Sequence, residues 1–439
     1  MPNSRIILMF SLFILAFGFS SAHQDAVKQA EPSIPRPEHP RPQFFRSSWI
    51  NLNGEWSCQY DFGLSGKQQG FQNRPQFERT IIIPFCPESK LSGVEYKNFI
   101  NALWYQRSMT VPESWAGKNV ILHFGAVDYA SEAFIDGQSV GKHWGETCSF
   151  EFDITDFVEP GSTHSLVVYA YDDVRSSVQP AGKQCPDYES RGCHYTRTTG
   201  IWQTVWPEAV SPYGLKFCHI IPDIDQEKFS VIPFFYKTKQ GSQLQVTVKQ
   251  KGKTITKKKF AASQGSPCSV GITNPQLWSP ENPFLYDLIL EVMAPDGSVL
   301  DQVQTYAGMR KIHTQGNQIY LNNQPVYLRL VLDQGFYPDG IWTAPSDEAL
   351  KKDIELAKKA GFNRARLYQK VFEERFHYWA DRLGYLTWEN LRAGALMSPA
   401  ERRPETFSQN GICNYDRSEK FDTDRIHQII SKKKKELED

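Results

Sequence analysis

The stretch "SDEALKKDIELAKKAGFNRARL", residues 346–367, changes the period of the chain and with it the fold class. Ser346 is an N-cap residue type, Asp347 and Glu348 place acids in a first turn, and Gly361 supplies a helix stop. Leu350, Ile354 and Ala357 recur on one helical face. "NRARL" then reads as a short strand. "VFEERFHYWADRLG" (371–384) restores the helical pattern, with Phe372, Phe376, Trp379, Ala380 and Leu383 on one stripe, and "YLTW" (385–388) reads as the next strand. With the strand "QPVYLRLVL" (324–332) ahead of them, these elements spell β-α-β-α-β, the opening of a parallel α/β unit.

Upstream the period is two. In "VILHF" (120–124) Val120, Leu122 and Phe124 alternate, and "AFIDGQSVG" (133–141) carries an Asp136-Gly137 hairpin turn. "FEFDI" (150–154) alternates again, and "LVVYAYDD" (166–173) is apolar on both faces. Many short strands between turn residues predict a β-sandwich over 45–211. A second run, "QLQVTVKQKGKTITKKKF" (243–260), "FLYDLILEV" (284–292) and "SVLDQVQTY" (298–306), predicts an immunoglobulin-like sandwich over 212–307.

The 439 residues suit roughly two to four domains. Lys+Arg and Asp+Glu both number 49, so net charge draws the chain toward neither nucleic acid nor an anionic membrane. Lys432–Lys435 reads as solvated. Arg5, the apolar run Ile6 to Phe19 and Ser20-Ser21-Ala22 predict a signal peptide over 1–22 and a secreted or periplasmic protein with no membrane span after its removal. Five prolines between Pro32 and Pro42 predict an extended linker over 23–44. The 8 cysteines have no CxxC spacing; Cys185 and Cys193 are close enough in sequence to clip one loop. No metal or cofactor is expected, since nothing is spaced to join His194 as a ligand, and the sequence leaves oligomeric state open. Trp202, Thr204 and Trp206 share a strand face, so these indoles, with Trp104 and Trp144, are weighed as core residues before sugar-stacking ones.

Particular words match as well as patterns. "LNGEW" (52–56), "WYQRSMTVP" (104–112), "DGQSVGKHWG" (136–145), "TTGIWQTVW" (198–206), "LWSPENPFLYDL" (277–288), "GMRKI" (308–312) and "LNNQPVYLRLV" (321–331) resemble glycoside hydrolase family 2, the β-galactosidase, β-glucuronidase and β-mannosidase family. The resemblance implies a multidomain β plus α/β chain: a jelly-roll sugar-binding sandwich, an immunoglobulin-like sandwich, and over 308–390 about three βα units of a TIM (β/α)₈ barrel. It implies a carbohydrate partner, a terminal β-glycoside, and retaining hydrolysis by two glutamates about 5 Å apart.

The same resemblance places Asp333 and Gln334 at the end of the first barrel strand, as contacts to substrate hydroxyls. It aligns Arg366 with an arginine near the family's nucleophile, here expected to be a buried charge without its partner. Tyr368-Gln369 stand where the family commonly has Ser-His. Asp187 and Glu189, on the polar loop 180–196, are further substrate-contact candidates. No catalytic residue is assigned. The family's acid/base is the glutamate of an Asn-Glu pair, and the sequence has no such dipeptide. After Trp388, 439 − 388 = 51 residues remain, too few for five more βα units. Glu389 is one position early against the family pattern. A lost base turning Trp-Gly-Glu into Trp388-Glu389-Asn390 is expected, with a divergent tail over 391–439. The alternatives are a sugar-binding protein without turnover, or an inactive product that proteases trim to about residue 310.

Overall fold

The structure, a computed structural model, describes residues 34–176, 179 and 181–390. The expected signal peptide and the tail 391–439 lie outside them.

The first sandwich is built from β1 (Gly54–Tyr60), β2 (Arg79–Ile83), β3 (Ala102–Thr110), β4 (Asn119–Phe124), β5 (Val127–Asp128), β6 (Ala130–Ile135), β7 (Gln138–Trp144), β8 (Phe150–Asp153), β9 (Thr163–Tyr171), β10 (Gly200–Ile201) and β11 (Val205–Val210). A six-stranded sheet, β2-β1-β3-β9-β6-β7, faces a three-stranded sheet, β11-β4-β8, while β10 pairs with β5. The alternating residues seen in the sequence meet between the sheets: Trp56, Tyr105, Leu122, Phe124, Phe150 and Leu166 share one core. Burying such side chains is the main favourable contribution, about 1.5–3 kcal/mol each.

The second sandwich comprises β12 (Leu215–Asp223), β13 (Lys228–Phe235), β14 (Gln243–Gln250), β15 (Lys253–Ala261), β16 (Cys268–Gly271), β17 (Tyr286–Met293) and β18 (Val299–Ala307). Its sheets run β12-β13-β16 and β15-β14-β17-β18, closing over Phe229, Val231, Val246, Leu288 and Val303. A small antiparallel sheet of β19 (Ile312–Gln315), β20 (Gln318–Leu321) and β21 (Gln324–Pro325) follows.

The third region has the predicted order: β22 (Leu330–Asp333), α1 (Asp347–Lys359), β23 (Arg364–Tyr368), α2 (Glu374–Leu383) and β24 (Leu386–Asn390). The three strands are parallel, in the order β22-β23-β24. Ser346 caps α1 by accepting the Ala349 N–H at 3.2 Å. Asp347, in the first turn, also binds the α2 side chains Arg375 and Trp379, which fixes the two helices together. Gly384 ends α2 at φ +69°, and a Cβ there would lie 2.4 Å from the Pro280 carbonyl oxygen, so both backbone and space require glycine. Leu350, Ile354, Ala365, Leu367, Phe376 and Ala380 form the core between helices and sheet.

Residues 34–44 correct the expected linker. They run as a packed strap rather than a spacer. Arg36 Nη2 meets Glu373 Oε2 at 2.7 Å, Arg375 Nη1 donates to the His39 carbonyl at 2.9 Å, and Phe44 enters the second sandwich's core. Proline composition misleads here for a physical reason. Pro lacks an N–H, so an extended Pro-rich segment can cross buried ground with few donors to satisfy.

Candidate functional site at the open end of the parallel sheet

Strands β22 and β23 point their C-terminal ends at a loop of the first sandwich, residues 181–199. Each contact has a local cause. The chain leaves β22 at Asp333, whose carboxylate accepts the Gly335 N–H at 2.8 Å, and Gly335 turns it at φ +61°. The Gly335 carbonyl accepts from Lys370 Nζ at 2.5 Å. Lys370 is buried, and its ammonium lies 4.8 Å from the Phe372 ring centre and 5.4–5.8 Å from those of Trp202, Trp342 and Phe336. Burial pulls Lys370 down to about 8, against the opposing charges of Asp333, Glu373 and Asp353. Burial pushes the Asp333 carboxyl up, against its Gly335 bond and Lys370.

The loop reaches the same edge. Tyr195 stacks on Phe336 with ring centres 4.1 Å apart, and Lys183 lies 5.3 Å from the Tyr368 ring centre. Gly182 passes so close to Gln369 that a Cβ would sit 2.8 Å from its carbonyl oxygen.

The sequence candidates separate into three groups. Asp333 and Gln334 are at the strand end, with Asp333 in register with Leu367, a residue of the helix-side core. The Gln334 Oε1 is buried and has no hydrogen-bond partner among the described residues. Arg366 is exposed, on the face away from the helices, with its guanidinium 5.0 Å from the Tyr368 ring centre. That corrects the expectation of a buried, unpartnered Arg366. The role falls to Arg364, which is 0% exposed. Asp187 and Glu189 are exposed on the loop, where Asp187 is engaged by Arg191 and the Glu189 carbonyl by the Cys185 thiol. The loop's contacts to the sheet run through Gly182, Lys183 and Tyr195 instead.

Cys185 and Cys193 are both free thiols, one buried and one exposed, so no clip closes this loop. Among the described residues no group of three or more His, Cys, Asp or Glu side chains is arranged to hold a metal ion. Trp104, Trp202 and Trp206 are buried, as core packing requires, whereas Trp144 is 46% exposed. Lys370 and its aromatic surround went unnoticed in the sequence because Trp202, Phe336 and Trp342 come from separate parts of the chain.

Asp333 pairs with Leu367 and Leu367 with Glu389, so the central strand separates the two acidic positions. Two inter-strand steps put their Cα atoms roughly 9–10 Å apart.

Two family models match this chain in sequence: "Glycosyl hydrolases family 2, sugar binding domain" over residues 51–182 and "Glycosyl hydrolases family 2" over 222–310. The chain belongs to glycosyl hydrolases family 2. Similar members include a β-galactosidase of Thermoanaerobacter pseudethanolicus, 23% identical over 79% of this chain and 46% of its own length. A β-glucuronidase of Paenibacillus borealis is 23% identical over 76% of this chain and 57% of its own. The fold is shared with the β-glucuronidase from Ruminococcus gnavus in complex with D-glucuronic acid, at a TM-score of 0.68 and 20% identity over 80% of this chain and 61% of that one. The chain thus spans about half the length of the family members it matches in sequence.

Proposed function

We propose that this family 2 chain recognises a terminal β-glycoside at the open end of its parallel sheet, outside the cytoplasm, without hydrolysing it. The parallel unit is read as the first three βα units of a TIM barrel, whose loops at the C-terminal ends of the strands form the sugar site. The observation that carries the reading is the order on one chain: two sandwiches of the family, then a β-α-β-α-β unit whose strand ends face the 181–199 loop. Arg366 offers a guanidinium and Gln334 an unengaged amide oxygen, groups suited to a uronate carboxylate and to sugar hydroxyls. The family's reaction is retaining hydrolysis. That this sequence has no Asn-Glu dipeptide to supply the family's acid/base supports binding without turnover. Location outside the cytoplasm rests on the apolar run Ile6 to Phe19 and its small-residue end.

Titration calorimetry with methyl β-D-glucuronide and methyl β-D-galactoside tests the reading. Binding of at least one is expected, and Arg366→Ala should weaken a glucuronide by about tenfold or more, the worth of a charge-assisted hydrogen bond. Failure of the full chain to bind any β-glycoside on a glycan array would overturn it.

A further inference from the structure

Beneath the 181–199 loop lies a patch of buried acid that sugar recognition does not use. Glu88 and Asp128 are 0% exposed, Glu146 4% and Asp172 5%, and they come from four separate places in the first sandwich. Gln184 reaches down into them from the loop. Its Nε2 is 2.8 Å from Asp128 Oδ2 and 3.4 Å from Glu146 Oε2, and its Oε1 accepts the Thr198 N–H at 2.7 Å. The Thr199 hydroxyl donates to Glu88 Oε1 at 2.6 Å and lies 3.3 Å from Asp172 Oδ2. Gln179 Nε2 donates to Asp172 Oδ1 at 2.6 Å. The other Asp128 oxygen, Oδ1, is buried in the patch with no hydrogen-bond partner among the described residues.

The charges do not balance. Arg197, 1% exposed, is the cation drawn to Glu88 and Asp172, and its Nη2 is already bonded to the Lys97 carbonyl. Arg175 repels Arg197, and Asp173 adds negative charge beside Asp172. Cys86 and Tyr105, which also face Glu88, are neutral while protonated. Among the described residues Glu88, Asp128 and Asp172 share one guanidinium, and they cannot all ionise in a dry site, because an unpaired buried charge costs several kcal/mol. Either a cation or protons must make up the difference, and these side chains are not arranged as a metal cage. Burial raises Glu88 to about 7 and Asp172 to about 6, and carries Asp128 well above the usual carboxylate range.

We propose that the 181–199 loop is a proton-latched lid on the open end of the parallel sheet, held down while the carboxyls beneath it share protons and released when they ionise. Gln184 ties the lid to the patch, one amide holding Asp128 and Glu146 below while its own oxygen holds Thr198. Such a donor favours the ionised carboxyl, so release comes from burial and the repulsion of Asp172 and Glu146, which outweigh it. The lid's outer side carries Tyr195 and Lys183 to the sheet end. The sign follows from the raised pKa values. Folded-state protons add stability that is fully present below the ordinary carboxylate range and lost as pH rises through about 7.

Hydrogen exchange on the full chain reads this directly, without any sugar. Within the lid, the Cys185 N–H donates to the Tyr195 carbonyl and the Tyr195 N–H to the Lys183 carbonyl, both at 2.8 Å. After correction for intrinsic rates, protection of these two amides should fall about tenfold or more between about pH 5 and about pH 8.5. Glu88→Gln and Asp128→Asn, which mimic the protonated carboxyl, should keep the lid protected at the higher pH. Equal protection at both pH values, or an unchanged loss in both variants, would overturn the proposal. So would calcium or magnesium restoring protection at high pH, which would assign the patch to a cation. Should the variants not fold, infrared spectra of the unmodified chain decide: a buried protonated-carboxyl band titrating near neutrality is expected, and its absence at about pH 5 refutes the latch.

Discussion

Arg46→Ala should cost about 3–5 kcal/mol and lower Tm by something of order 10 °C. Arg46 is 5% exposed and sits where the two sandwiches meet. Its Nε and Nη2 grip both oxygens of Asp301 on β18 at 2.9 and 2.8 Å. Nη2 also donates to the Leu215 carbonyl on β12 at 2.5 Å, and Nη1 lies 3.4 Å from Glu208 on β11. Removing the guanidinium leaves two carboxylates buried without their cation, which costs more than the pair's net worth. Arg46→Lys should recover little, because a point charge cannot make the planar two-pronged contact. Burial alone would raise the Glu208 carboxyl, but Arg46, then His123 and His39, hold it at about 2. Its folded-state pKa is depressed from 4.5, so this stability is present above about pH 4.5 and lost as pH falls toward 2. Acid unfolding followed by tryptophan fluorescence should show that limb in the unmodified chain and lose roughly 3 kcal/mol of it in Arg46→Ala.

Arg364→Met should move stability in the opposite direction, by about 1–4 kcal/mol in favour of the variant. Arg364 is fully buried, and Nε, Nη1 and Nη2 have no hydrogen-bond partner among the described residues. The Trp388 ring, with its centre 4.1 Å from the guanidinium carbon, offers a cation–π contact, worth about 2 kcal/mol when desolvated. That does not offset burial, which pushes Arg364 down to about 10. Methionine keeps most of the volume and the contact with the ring. The check is the thermal midpoint of the parallel unit, followed by exchange of β23 amides. A destabilised variant would mean that Arg364 has a partner which the helix-free face does not show. The neighbouring Leu330 and Leu332, 40% and 50% exposed on the same face, leave that side of the sheet open.

Much of this was legible in the sequence where local chemistry decides the outcome. Ser346 with its following acids starts α1, Gly384 stops α2, and period-two runs such as Val120, Leu122 and Phe124 are strands with one face in a core. Depth along a strand was not legible. Arg364 and Arg366 share a parity, hence a face, and only tertiary packing, as of Arg364 against Trp388, separates the buried first from the exposed second. The Pro-rich 34–44 segment was misread because composition reports stiffness and says nothing about what the segment lies against. The Lys370 surround and the acid patch under Gln184 were invisible for one reason. Their members, such as Glu88, Asp128, Asp172 and Gln184, converge only once two sandwich sheets and a long loop have folded. Pattern methods see neighbours at two, three or four residues, not at a hundred.

Turnover of nitrophenyl β-D-glucuronide and β-D-galactoside by the purified 439-residue chain tests the central claim most directly. Release of nitrophenol no faster than in buffer is predicted, both for the unmodified chain and for Glu389→Gln. Hydrolysis by the unmodified chain that Glu389→Gln abolishes would contradict it, and would make the β24 acid a working catalytic group.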